Sequence, residues 1–224
     1  MVSVVMTSIE DQELIQKRRE QIVKAATELF GSKSYNGTTM KEISKRAGFS
    51  SGLIYFYVKT KEDVLFLVLK NIIDGYNKEV PNALLTVEHD IDKFCVAVKT
   101  YCDVVDKNIQ ATLLAYRSTK DLSPERRAEI MELEHETNSL VAGCVENCIE
   151  KGFFRGVDIS LTTYQVVMLA HEWALKSWHL RKKMSLAEYT ENILSLFLHG
   201  LLTDAGRAAL NNTTFAKTIF ENEK

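Results

Sequence analysis

Helical periodicity runs through this chain almost without interruption: among 224 residues only Pro81 and Pro124 are proline, and the 10 glycines fall mostly between apolar-periodic stretches. Proline and glycine are the residues that end helices and open turns, so this punctuation predicts many helices joined by short loops, an all-α fold. A composition of 46% hydrophobic and 26% charged residues supplies the core that a disordered chain lacks. The length admits two modest domains.

The run from Gln16 to Phe30 sets Ile22, Ala25, Ala26, Leu29 and Phe30 at helical spacing and stops at the breaker GSKSYNG. Thr39, followed three residues later by Glu42, is a capping box opening a short second helix that Gly48 closes. Ser50 caps a third helix, SGLIYFYV, and Thr60 a fourth that begins at Lys61, with Pro81 closing the stretch. Two short helices separated by a glycine-led turn have the proportions of a helix-turn-helix, whose second helix enters the major groove. Five further helices are expected at about 90–106, 108–119, 124–151, 159–182 and 186–202, the fourth of these following a Gly152/Gly156 loop and the last opened by a Ser185/Glu188 capping box. The residues after Thr203 fit either a short helix or a frayed tail.

The net charge of −2 hides an uneven distribution. Residues 16–61 hold ten Lys/Arg against three acids, a formal charge of +7, and the remainder of the chain is −9. A compact basic module on an acidic body is the electrostatic footprint of a protein that meets phosphates at one end. The opening residues MVSVVMTSIEDQE lack a basic leader, and no apolar run reaches membrane-spanning length, so a cytoplasmic protein without a membrane partner is expected. Cys95, Cys102, Cys144 and Cys148 are too few for a disulfide scaffold and read as small core residues.

The run TTMKEISKRAGFSSGLIYFYVKTKEDVL, residues 38–65, strongly resembles the DNA-binding region of the TetR family, and residues 16–76 resemble its first four helices. The resemblance rests on the Thr39 cap, the IS-x-x-AG end of helix two, Ser50, Gly52, the aromatics Tyr55, Phe56 and Tyr57, and the Lys-Thr-Lys-Glu opening of helix four. It implies an N-terminal extension at 1–15, a helix-turn-helix domain at 16–61, a connecting helix at 62–81, a ligand-binding and dimerisation domain at 82–202 and a tail at 203–224. The implied partners are a double-stranded DNA operator, a second copy of the chain and a small-molecule effector, with no cofactor.

Each DNA-side residue has a physical reason. Tyr55 and Tyr57 offer hydroxyls to phosphates, Lys61 adds a cation to a helix N-terminus, and Thr39 reaches phosphate through its hydroxyl or neighbouring amides. Lys41, Lys45 and Lys59 are backbone contacts or solvated lysines. Gly52 lets the recognition helix approach the groove closely. Base reading falls to Ser51 and Leu53, and Leu53 contacts a thymine methyl rather than hydrogen-bonding a base edge. Phe56 reads equally as packing or as a DNA contact. Two-fold symmetry then requires half-sites about 34–36 Å apart in a near-palindromic operator.

Residues 122–158, with Trp173 and Trp178 beyond them, resemble the acyl-CoA-responsive branch that regulates fatty-acid or related degradation. Tyr164, Met168, His171 and Trp178, with Leu175, recur at three- to four-residue spacing and form either one wall of a ligand pocket or ordinary core and dimer interface. Tyr116 and Arg117 are further ligand candidates, Arg117 pairing with an anionic ligand or with a nearby acid. Dimerisation is implied for the helices at 159–182 and 186–202. Two alternatives stand beside this reading. One is a repressor of drug-efflux genes that binds hydrophobic cations, with Glu172 beside Trp173. The other is a helical enzyme or metal-binding protein using Cys144, Cys148 and a histidine, although nucleophile-elbow, P-loop and dinucleotide motifs are absent.

Overall fold

The computed structural model describes residues 9–221, with side chains from Gln12 to Ile219. Among the described residues there are helices and turns but no strand, and the single antiparallel bridge joins Phe154 to Leu202. The chain divides into two compact units: residues up to Asn71 together with Leu113–Ile130, and Ile72–Thr112 together with the residues from Met131 onward.

The first unit opens with α1 (Ile9–Lys33), longer at both ends than the periodicity of residues 16–30 suggests. Residues 1–8 of the expected extension lie outside the described residues. The breaker GSKSYNG does not stop α1 at Gly31; the stop comes at Ser34, which takes the left-handed conformation itself (φ 70°). The Thr38 hydroxyl donates to the Ser34 carbonyl (2.8 Å), tying the end of α1 to the start of the next helix. Helix α2 (Met40–Ala47) carries the complete capping box, and Gly48 ends it at φ 79°. The expected third helix is a tighter 3-10 turn over Leu53–Phe56 rather than an α-helix. Helix α3 (Lys61–Leu84) follows, and the hydroxyl of Thr60 accepts from the Asp63 amide (3.0 Å) while the Asp63 carboxylate accepts from the Thr60 amide (2.9 Å). Ile22, Ala26, Phe30, Ile43, Ile54, Val64 and Leu65 fill the core of this unit.

Pro81 does not close α3, which runs one turn further to Leu84. A proline near the end of a helix removes one amide donor, and the helix closes behind it with Leu85 donating to the Pro81 carbonyl (3.3 Å).

In the second unit α4 (Asp90–Lys107) is the central element, flanked by α7 (Ile159–Leu175) and α9 (Leu186–Leu201). Helices α5 (Ile109–Ser118) and α6 (Pro124–Glu150) contribute to both units. The ring of Phe94 on α4 meets Phe154 edge-on (5.2 Å) and Phe197 of α9 (5.9 Å). The helix expected at 159–182 is interrupted: α7 ends at Leu175, and a four-residue helix α8 (Ser177–Leu180) follows without a glycine or proline to mark the break. Beyond Thr203 the described residues form α10 (Asp204–Ala209) and α11 (Ala216–Glu221). Asp92, itself buried, holds α11 by accepting from the amides of Thr214 (2.8 Å), Phe215 (3.0 Å) and Ala216 (2.7 Å).

Candidate DNA interface and effector-domain interior

The turn between α2 and the 3-10 segment orients the candidate reading face. Phe49 donates to the Ser44 carbonyl (2.8 Å) behind Gly48, and the Ser50 hydroxyl accepts from the Leu53 amide (3.2 Å). Ile54 and Val58 are buried, which anchors one side of the segment in the core. The other side carries Ser51, Gly52, Leu53, Tyr55 and Phe56, all exposed. Phe56 is 81% exposed, so its ring belongs to the outer face and not to the packing. In a 3-10 turn side chains three apart eclipse one another, so Leu53 and Phe56 share one side. The sequence leaves packing and DNA contact equally open for Phe56; its offset of two from the buried Ile54 and Val58 goes with the outer face.

The positioning residues divide. Lys41 and Lys45 are exposed on α2. Tyr57 is half-buried, its ring against Phe49 (5.7 Å). The Thr39 hydroxyl is engaged in the capping box, donating to Glu42 (2.9 Å) and accepting from the Glu42 amide (3.3 Å). Hydrogen bonding from Lys33, then from Thr39, holds the Glu42 carboxyl down at about 2. Lys59 donates to the Tyr55 carbonyl (3.2 Å). Lys61 turns inward: its ammonium donates to the carbonyls of Tyr35 and Thr38 (3.0 Å each) and lies over the Tyr35 ring (4.5 Å).

A second set of contacts, unread in the sequence, grips the first turn of α3. Glu62 accepts from the Ser123 amide (2.8 Å), which with the Ser123 hydroxyl lowers its carboxyl pKa. Arg126 pairs with Asp63 (3.3 Å) and stacks over the Phe66 ring (4.2 Å).

The stripe expected as a ligand wall or as core and dimer interface does not face one way. Tyr164, Met168 and Trp178 are exposed, whereas His171 faces the interior of the second unit. The buried side of α7 is Thr163, Val166, Val167, Ala170, Trp173 and Ala174, itself a helical repeat that leaves Tyr164 and Met168 on the opposite side. Tyr116 and Arg117 are exposed at the end of α5, in the first unit. The interior around His171 is a polar chain that sequence reading did not find. The Tyr76 hydroxyl lies 3.3 Å from His171 Nε2, the Tyr76 and Tyr101 rings stack at 4.5 Å, and the Tyr101 hydroxyl donates to the Thr137 carbonyl (3.0 Å). Burial pushes the His171 pKa down to about 4 and leaves the imidazole neutral.

All four cysteines are buried, and burial raises the thiols of Cys102 and Cys144 to about 11 and Cys148 to about 12. Such thiols stay protonated near neutral pH, and the thiolate is the form that attacks or ligates. No group of three or more potential metal ligands occurs among the described residues. Glu172 accepts from the Tyr189 hydroxyl (3.2 Å), and the Trp173 indole donates to Asp106 (2.8 Å). No helix among the described residues is long and apolar enough to cross a membrane.

Residues 22–68 match the family described as bacterial regulatory proteins, tetR family, and residues 88–201 match the tetracyclin repressor-like C-terminal domain. The chain belongs to the TetR family. Over 206 residues it is 43% identical to the HTH-type transcriptional regulator HbdR of Aromatoleum sp. (strain CIB), covering 92% of this chain and 90% of that protein. It is 22% identical to the fatty acid metabolism regulator protein of Bacillus subtilis (strain 168), over 81% of this chain and 94% of that protein. The crystal structure of AibR in complex with isovaleryl coenzyme A and operator DNA has the same fold, with a TM-score of 0.69 and 15% identity over 80% of this chain and 97% of that one. This TetR-family chain is a DNA-binding transcriptional regulator and not an enzyme.

Proposed function

We propose that this TetR-family regulator is a repressor that binds a near-palindromic operator as a homodimer and is released by an acyl-CoA thioester, controlling genes for the degradation of fatty or related acids. The observation that carries the DNA half is the outward reading face Ser51–Phe56, backed by the anchored Ile54 and the capped α2. Outward apolar side chains on α7 (Leu161, Tyr164) and α9 (Leu196) support a partner copy on those two helices. The effector class is supported by the relatives: one is named for fatty acid metabolism, and one is bound to isovaleryl coenzyme A and operator DNA.

Release follows if the effector binds better to a conformation in which the two recognition segments are wrongly spaced. Within the first unit, Leu113–Ile130 is the segment through which such a change reaches DNA. Its Ser123 and Arg126 hold Glu62 and Asp63, the neighbours of Lys61, so displacing it shifts the first turn of α3 and the residues packed on Lys61.

The test is a fluorescence anisotropy titration of a duplex selected from a random library by the purified protein, with acyl-CoAs of graded chain length added. Operator affinity falls as the preferred thioester is added, and by linkage thioester affinity falls by the same factor in the presence of operator. Absence of any mutual effect across the panel rules the mechanism out.

A further inference from the structure

The segment from Lys176 to Lys183 is unlike the rest of its unit. The second unit carries 19 Asp/Glu against 13 Lys/Arg, yet these eight residues hold Lys176, Arg181, Lys182 and Lys183 with no acid among them. All four cations are exposed, and none has a carboxylate within 4.0 Å among the described residues. In their midst Trp178 is 68% exposed, with the His179 ring tilted against it (5.3 Å). A cation or two beyond a helix end is ordinary stabilisation of the helix dipole, but that accounts neither for the three consecutive cations Arg181–Lys183 nor for a bare indole between them and Lys176. The patch is also a poor surface against its own copy, because an isologous contact would set these unpaired cations against their own symmetry mates.

An exposed indole flanked by unpaired cations suits one chemistry: a purine base, which stacks on the ring, carrying phosphates, which meet the ammonium and guanidinium groups. We propose that Trp178, Lys176, Arg181, Lys182 and Lys183 form a surface site for the 3′-phosphorylated adenosine diphosphate end of the acyl-CoA. Trp178 stacks on the adenine, and the four cations meet the pyrophosphate and the 3′-phosphate. This rests on the acyl-CoA reading above. It adds a recognition site for the nucleotide that is separate from whatever holds the acyl group.

The chain has a built-in reporter. Of its two tryptophans, Trp173 is 2% exposed and bonded to Asp106, so a fluorescence change on nucleotide binding that is lost in Trp178→Phe comes from Trp178. The full-length protein is titrated with adenosine 3′,5′-bisphosphate carrying a further 5′-phosphate, with intact acyl-CoA, and with the matching acyl-pantetheine, which lacks the nucleotide. The nucleotide is expected to quench Trp178 saturably. Trp178→Ala is expected to weaken acyl-CoA binding by roughly tenfold or more, the scale of one stacked base, while acyl-pantetheine binds as before and Trp178→Phe retains most of the affinity. Lys182→Glu with Lys183→Glu is expected to weaken acyl-CoA binding and flatten its salt dependence.

The proposal is overturned if the nucleotide leaves Trp178 emission unchanged, or if Trp178→Ala weakens acyl-CoA and acyl-pantetheine equally. It is also overturned if the charge reversals lower operator affinity without any nucleotide present, which would make the segment a DNA contact. Quenching by the nucleotide together with acyl-CoA that fails to release operator would sustain this site and remove the effector reading.

Discussion

The Lys61 ammonium donates to the carbonyl of Tyr35, 26 residues earlier, at 3.0 Å and lies 4.5 Å from the centre of that residue's ring. A lysine so placed ties the segment after α1 to the start of α3, and its proposed part in DNA binding is to hold the module in shape. Lys61→Met is therefore expected to cost about 1–3 kcal/mol of stability, the worth of hydrogen bonds to a charged donor, and to weaken operator binding while leaving its salt slope unchanged. Lys41→Ala, on the exposed face of α2, is expected to leave stability alone and reduce the slope by about one. Calorimetry and binding across a salt series separate the two. A slope that falls by about one in Lys61→Met with an unchanged melting temperature would make Lys61 a phosphate ligand instead.

Gly52 has no structural demand for glycine: a Cβ there meets nothing within 4 Å, and its φ of −79° is one that any residue adopts. Under the proposed function, glycine here serves close approach of the backbone to DNA. Gly52→Ala is expected to fold with an unchanged or slightly higher melting temperature and to bind operator at least tenfold more weakly, about 1.4 kcal/mol. Gly48→Ala, at φ 79°, is expected to lose about 1 kcal/mol of stability through strain at the end of α2. Unimpaired DNA binding in Gly52→Ala would show that the recognition backbone does not approach the groove.

The parts of this fold that were legible in the sequence are those whose partners are near in the chain. Thr39 and Glu42 are three residues apart, as are Ser185 and Glu188, and both capping boxes form as their spacing dictates. Lys61 was not legible, because its carbonyl partners are 23 and 26 residues away and no spacing rule encodes them. The same holds for Tyr76 and His171, 95 residues apart, and for Asp92 and Thr214, 122 apart. The recurrence of Tyr164, Met168 and His171 was visible, but a stripe does not say which way it faces. The stripe Val166, Val167, Ala170 and Trp173 takes the core instead.

His171 imposes a pH dependence whose sign is fixed by its burial. Its folded pKa of about 4 lies below the ordinary value of 6.5, so between those values the unfolded chain binds a proton that the folded chain refuses. Stability rises with pH through that window, is fully present above about 6.5, and is lost as pH falls toward 4, by on the order of 3 kcal/mol in all. His171→Gln is expected to abolish this slope between pH 4 and 6.5 while keeping a polar partner for the Tyr76 hydroxyl. Urea unfolding at a series of pH values reads it, and an unaltered slope in the variant would assign the effect to other groups.

The partner surface is tested by charge. Leu161 on α7 and Leu196 on α9 are largely exposed in the single chain, so Leu161→Glu combined with Leu196→Glu removes little from the fold of one copy. Burying two carboxylates against their symmetry mates would cost far more than an ordinary interface can supply. The doubly substituted protein is expected to keep its helical circular dichroism, to sediment as a monomer at micromolar concentration, and to lose roughly 100-fold or more in operator affinity once two linked half-site contacts become one. A variant that stays dimeric with native operator affinity would place the partner on another face of the molecule.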